Sequence, residues 1–135
     1  MNTCGVCGMG IDLVETDRMR RCVDRWGVRF THRVFVEAER RYCERKAKPW
    51  RHYAGRFAVK EAVSKAFGTG IGEHIGWLDI EVVRHPDTGA PSVVLSARAR
   101  RLAAQRGVTE VLTSLSHTSR YAVAQAMLIG EGEPA

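Results

Sequence analysis

Two carboxylates and a lysine carry the clearest chemical interest in this chain. Asp12 interrupts the apolar run VCGMGIDLV, while Glu61 and Lys65 lie in RFAVKEAVSKAFGTGIG. On a helix Ala54 stacks with Glu61 and Ala58 with Lys65, so an apolar stripe runs into a charged pair. A carboxylate on a core-facing stripe is costly unless it is paired or bound to a cation. One resolution is a Glu61–Lys65 salt bridge at i,i+4, worth about 0.3–0.5 kcal/mol when exposed. The other brings Glu61 and Asp12 together on a divalent cation. Oxygen ligation by few protein groups is how Mg²⁺ is held when phosphate oxygens complete its shell.

Further residues point towards phosphate. Gly68, Gly70 and Gly72 directly follow the lysine-bearing segment. Such glycines either let backbone N–H groups approach an anion or serve as a helix stop. Lys60 and Lys65 supply charge nearby or sit on a solvated surface, and His117 ends a strand among the hydroxyls of SLSHTS. The G-x-x-x-x-G-K-[ST] order is absent, and no G-x-G-x-x-G follows a strand. Cys4 and Cys7 form a C-x-x-C pair without the further ligands that zinc needs. A redox pair would start a helix, whereas Cys7 falls in a predicted strand, so the expectation is an extended lead-in with bystander thiols.

The elements that must position these groups are legible in outline. Alternation over 6–14 predicts a strand with Cys7, Met9, Ile11 and Leu13 on one face and Val6, Gly8, Gly10 and Asp12 on the other. The glycine face would leave room for something to come close to Asp12. Met19, Cys22, Val23 and Trp26 follow a helical stripe, with Arg18, Arg21 and Arg25 as a second row. A short helix over 36–45 is expected to end at Pro49, and a long one runs from Trp50 to the glycine cluster. Strands over 77–84 and 92–95 flank HPDTGAP, which is hairpin material. Ser96 caps a helix closed by Gly107. Strand-like runs EVLTSLSHT and YAVAQAMLI follow, the latter with Ala122, Ala124 and Ala126 on one face suited to another sheet or subunit.

Composition narrows the partners. With 21 Lys and Arg against 15 Asp and Glu the net charge is +6, favouring nucleic acid, phosphorylated ligands or an acidic protein. A polyanion- or nucleic-acid-binding module predicts aromatics interleaved with the basic residues, and Trp26 alone obliges; it also leaves Glu61 unexplained. At 135 residues the chain fits one domain, 1–135, but is small for an enclosed site, which points to a site shared between subunits. No stretch approaches the roughly 20 apolar residues of a membrane span. The N-terminus lacks a secretory pattern, and cysteines 4, 7, 22 and 43 read as thiols, so a cytoplasmic protein is expected.

Taken as a set, GMGIDLVETDRM, RFAVKEAVSKAFGTGIG, DIEV with DTGAPSVVL, and SLSHTSRYAVAQA resemble the bacterial holo-acyl-carrier-protein synthases of the 4′-phosphopantetheinyl transferase superfamily. The resemblance runs from about Gly8 to Leu128. It implies an α+β fold, an antiparallel sheet packed against a long helix, in a homotrimer with interfacial active sites. It implies transfer of 4′-phosphopantetheine from coenzyme A to a serine of an apo acyl carrier protein, with Mg²⁺, releasing 3′,5′-ADP. Asp12 and Glu61 resemble the metal ligands and Lys65 the pyrophosphate contact, with Lys60 supporting. Arg56 and His117 resemble residues that meet the 3′-phosphate end, and the Gly68–Gly72 loop lies along the ligand. Arg18, Arg21 and Arg25 then serve an acidic carrier protein. A non-catalytic trimeric relative is the rival reading, and intact Asp12, Glu61 and Lys65 argue against it. Family members begin almost at the first strand, so 1–7 is an N-terminal extension, and 130–135 reads as a frayed tail.

Overall fold

Pro49 opens the longest helix and does not merely close the element before it. Its missing N–H falls at the first helical position, where that donor would have no intrahelical partner, and its ring presets φ for the turn. The computed structural model describes residues 4–133, and the parts of the expected extension and tail at 1–3 and 134–135 lie outside the described residues. In chain order the elements are β1 (Gly5–Glu15), α1 (Thr16–Trp26), α2 (Val28–Val34), α3 (Glu37–Glu44), α4 (Pro49–Ala66), β2 (Ile80–Arg84), β3 (Pro91–Leu95), α5 (Ala97–Gln105), β4 (Val108–His117) and β5 (Tyr121–Gly130). This is the expected α+β arrangement of antiparallel strands against a long helix.

The strands form a three-stranded antiparallel sheet in the order β1-β5-β4 and a separate β2-β3 hairpin. A 3₁₀ turn at Trp77–Asp79 replaces the first residues of the strand expected from 77. Ser96 caps α5 by accepting the Ala99 N–H, and Gly107 closes it at φ 67°, as expected.

Helix α4 crosses the inner face of the sheet, and small residues decide how closely. Ala122, Ala124 and Ala126 of β5 are buried against α4, so their face meets this helix and not another sheet or subunit. On β1 a Cβ at Gly10 would run into the Ala62 carbonyl oxygen, and one at Gly8 into that of Ala66. The glycine face therefore makes room for the α4 backbone, not for a ligand, and this approach carries Glu61 and Lys65 to the strand that bears Asp12.

The outer face of the sheet is apolar and uncovered. Met9, Ile11 and Leu13 are 59–63% exposed. Opposite them in register stand Met127, Gln125 and Val123, with Leu112 beyond. At the start of β1, residues 5–7 extend the strand and are no loose lead. A bulge lies between Val6 and Gly8, and Gly5 pairs with Gly130, so position 130 ends a strand and is not frayed. Cys4 and Cys7 are exposed free thiols, whereas burial pushes the Cys43 thiol up to about 12.

Candidate active site

The close approach of β1 and α4 puts three of the sequence-chosen groups at one cleft. Lys65 Nζ donates to Asp12 Oδ1 at 2.8 Å and to the Ile11 carbonyl at 3.2 Å. Lys65 thus reaches across to the strand, and among the described residues no i,i+4 bridge to Glu61 forms. Glu61 lines the same cleft, a cavity of about 600 Å³, and its carboxyl is pushed above the usual range. Burial is the larger cause and the Asp12 carboxylate the next, with Lys65 opposing them. Asp12 and Glu61 with a single lysine, paired to Asp12, leave negative charge that a cation would neutralise. Both are hard oxygen donors, and no group of three or more candidate ligands exists among the described residues. That donor set fits Mg²⁺, whose remaining sites are ordinarily filled by water and substrate phosphates.

Beyond these three groups the lining is mainly apolar, with Glu15, Arg18 and Arg33 as charged exceptions. Phe57 of α4 stacks on Trp77 with ring centroids 4.8 Å apart, and Met19, Phe30 and Val34 continue the wall. Sequence reasoning did not place Trp77 here, because its strand assignment began at that residue. Arg18 also lines the cleft. Arg21 and Arg25 are exposed on α1, and the Arg25 guanidinium lies 4.8 Å over the Trp26 ring. Helix α2, also missed, adds Arg29 and Arg33, which with Trp26, Phe30 and Val34 form an adjoining groove of about 360 Å³. The i,i+4 pairs Arg29/Arg33 and Phe30/Val34 in VRFTHRV were the available signal.

Lys60 does not reach the cleft. It is fully buried, and its Nζ donates to Glu39 Oε1 at 2.8 Å and to the carbonyls of Trp77 at 2.9 Å and Ile80 at 2.5 Å. Glu39 in turn accepts the N–H groups of Val36 and Val82, each at 2.9 Å. Burial pushes the Lys60 pKa down and the Glu39 charge opposes it. The pair ties α3, α4 and β2 together, so the supporting role expected at the coenzyme is replaced by a structural one.

The glycine loop is likewise a helix stop. Gly68 and Gly70 have φ of 78° and 64°. The N–H of Gly68 donates to Lys65 O, those of Thr69 and Gly70 to Ser64 O, and that of Gly72 to Ile75 O. These donors satisfy carbonyls at the end of α4 and within the loop, so they are not free to cradle an anion.

Arg56 and His117 meet at a second, smaller cavity of about 150 Å³, with Tyr42, Arg51, His52 and Arg84 around it. His52 and Arg56 face roughly 160° around α4 from the mean direction of Phe57, Glu61 and Lys65, at 3.6 residues per turn. In one chain the two sites lie on opposite sides of the same helix.

The model of the 4′-phosphopantetheinyl transferase superfamily matches residues 8–126. The holo-acyl-carrier-protein synthase of Caldanaerobacter subterraneus is 41% identical over 122 residues, 90% of this chain and 94% of that protein. The structure of the holo-acyl-carrier-protein synthase from Neisseria meningitidis superposes with a TM-score of 0.85 at 27% identity, covering 92% of this chain and 98% of that one. The Bacillus anthracis enzyme, solved in complex with coenzyme A (3′,5′-ADP), matches with a TM-score of 0.76 at 35% identity, covering 96% and 98%.

Proposed function

The chain belongs to the 4′-phosphopantetheinyl transferase superfamily, and from that premise we propose how its own residues move the 4′-phosphopantetheine group of coenzyme A onto a serine of an apo acyl carrier protein. The observation that carries the reading is the meeting of Asp12, Glu61 and Lys65 at one cleft against an apolar wall. Asp12 and Glu61 would hold Mg²⁺. When bound, the ion supplies charge neutralisation at the pyrophosphate. Lys65 places a second positive charge at the same point, and the Phe57–Trp77 wall holds the pantetheine arm. The serine Oγ forms the new bond to the β-phosphorus while the phosphoanhydride P–O bond breaks. The serine proton passes to solvent past the carboxylate pair, and 3′,5′-ADP leaves. Positioning and charge do most of this work, without a covalent enzyme intermediate.

A coenzyme that spans both cavities needs two copies of the chain. The opposed faces of α4 support a site built from the Asp12–Glu61–Lys65 cleft of one subunit and the Arg56–His117 cavity of a neighbour. The uncovered face of Met9, Ile11, Leu13 and Leu112 is the kind of surface that a symmetric homotrimer buries. Glu61→Gln and Arg56→Gln each impair transfer when assayed alone. Co-assembled at equal amounts, they regain about a quarter of parental activity, since one site in four draws both halves from unaltered positions. Failure to regain activity, with both proteins assembled, would place each site within one chain.

Arg21, Arg25 and Arg29, outside the cleft, are the steering surface for an acidic carrier protein. Arg21→Glu with Arg29→Glu raises KM for the carrier protein by roughly tenfold at low salt and leaves KM for coenzyme A within about twofold. Equal changes in both would refute the docking role. Among the described residues no helix is long and apolar enough to cross a membrane, and we place the reaction in the cytoplasm, where the two substrates meet.

A further inference from the structure

The smaller cavity contains more positive charge than the two residues expected there. Arg51, His52 and Arg56 come from α4, Arg84 from β2 and His117 from β4, and none of the lining residues is acidic. Arg56 is 7% exposed, with its guanidinium 4.1 Å over the Tyr42 ring. The Nε atoms of Arg51 and Arg56 are both buried without a hydrogen-bond partner. Buried, unpartnered cationic donors are expensive, and an anion in the cavity is the group that would satisfy them.

His52 lines this cavity beside His117. Its ring meets His117 at 6.2 Å and Tyr42 at 5.8 Å, edge to face in both cases. We propose that His52 is a specificity residue for the 3′-phosphate of coenzyme A: its ring takes up a proton as the phosphomonoester dianion enters, adding an ion pair that dephospho-coenzyme A cannot elicit. The proposal rests on the reading that this cavity receives the 3′-phosphate.

The sign follows from the surroundings. Burial, then Lys46, Arg56, His117 and Arg51, hold His52 below the usual histidine value, so the free chain keeps it neutral near pH 7. Tyr42 and Lys46 face it from α3 and the turn after it, with the Lys46 ammonium 4.7 Å over the Tyr42 ring. Arg84 faces it from β2. A dianion reverses the local potential and favours the imidazolium. Affinity for coenzyme A therefore rises as pH falls from 8 towards 6.5, by up to about tenfold per pH unit for each proton taken up. The gain ends near pH 6, where the phosphate itself begins to accept a proton.

Calorimetric titration of the assembled protein at pH 7, in two buffers of different ionisation enthalpy, counts the protons. The parent is expected to take up protons with coenzyme A and none with dephospho-coenzyme A. His52→Phe, which keeps an aromatic ring in place, should lose about half or more of that uptake and flatten the pH dependence of affinity, with the far-UV spectrum unchanged. His52→Gln should do the same. Uptake undiminished in both variants would overturn the role of His52. Equal affinity of the parent for the two coenzymes would instead refute the cavity as the phosphate site.

Discussion

Glu61→Gln leaves a protein that does not transfer phosphopantetheine at a useful rate but is more stable than its parent in the absence of divalent metal. In the proposed mechanism Glu61 would help hold the cation that offsets pyrophosphate charge, and its loss would remove several kcal/mol of transition-state stabilisation, a drop of about 10³-fold or more. The gain in stability has a separate cause. Glu61 is held above its ordinary pKa by burial and by Asp12, so its ionised form opposes folding. In the parent, the stability contributed by this group is fully present below the ordinary glutamate value and is lost as pH rises through the raised one. The glutamine variant has no such loss. Thermal unfolding at pH 5 and pH 7.5, with and without Mg²⁺, checks both points. The metal-free parent should weaken between the two pH values more than the variant does, and Mg²⁺ should stabilise the parent by mass action and the variant little. A variant less stable than the metal-free parent at pH 7.5, with an equal response to Mg²⁺, would remove Glu61 from the metal site.

Lys60→Met and Lys65→Met, five residues apart on one helix, should fail in opposite ways. The first strands Glu39, fully buried, without its cation. Breaking such a pair costs about 3–5 kcal/mol, or a fall in melting temperature of roughly 10–20 °C for a domain of this size. At a temperature where the variant remains folded, its KM for coenzyme A should stay within about twofold of the parent, because Lys60 does not line the cleft and meets its wall only at the backbone carbonyl of Trp77. Lys65 is about half exposed, and its Asp12 partner is mostly covered. Removing it should change melting by only a few degrees while lowering kcat/KM by about 10²-fold or more. A large coenzyme effect at Lys60 with normal stability would reverse the two assignments.

These two lysines also mark where the sequence ceases to be legible. The long helix, the hairpin, the capped α5 and the last two strands follow from periodicity and punctuation, because each is long or bounded by Gly, Pro or Ser. Asp12, Glu61 and Lys65 stood out as charges where an apolar stripe was due. Lys60 gave no such signal. Helix α4 is buried on nearly every side, so a polar position on it does not reveal a face, and the partner of Lys60 is 21 residues upstream on α3. Helix α2 is seven residues long between Gly27 and Phe35, too few turns for a stripe to register. Small residues on β1 and β5 announced a close approach, but the identity of what approaches is a tertiary fact. Proline at 49 was ambiguous for a local reason, since it both ends and begins helices.

The most direct test of the reaction is intact-protein mass spectrometry of an apo acyl carrier protein incubated with this protein, coenzyme A and Mg²⁺. The expected result is a single addition of phosphopantetheine, mapped to one serine by peptide fragmentation, that disappears with Glu61→Gln. No addition to any of several apo carrier proteins, from a folded preparation that binds coenzyme A, would contradict the assignment.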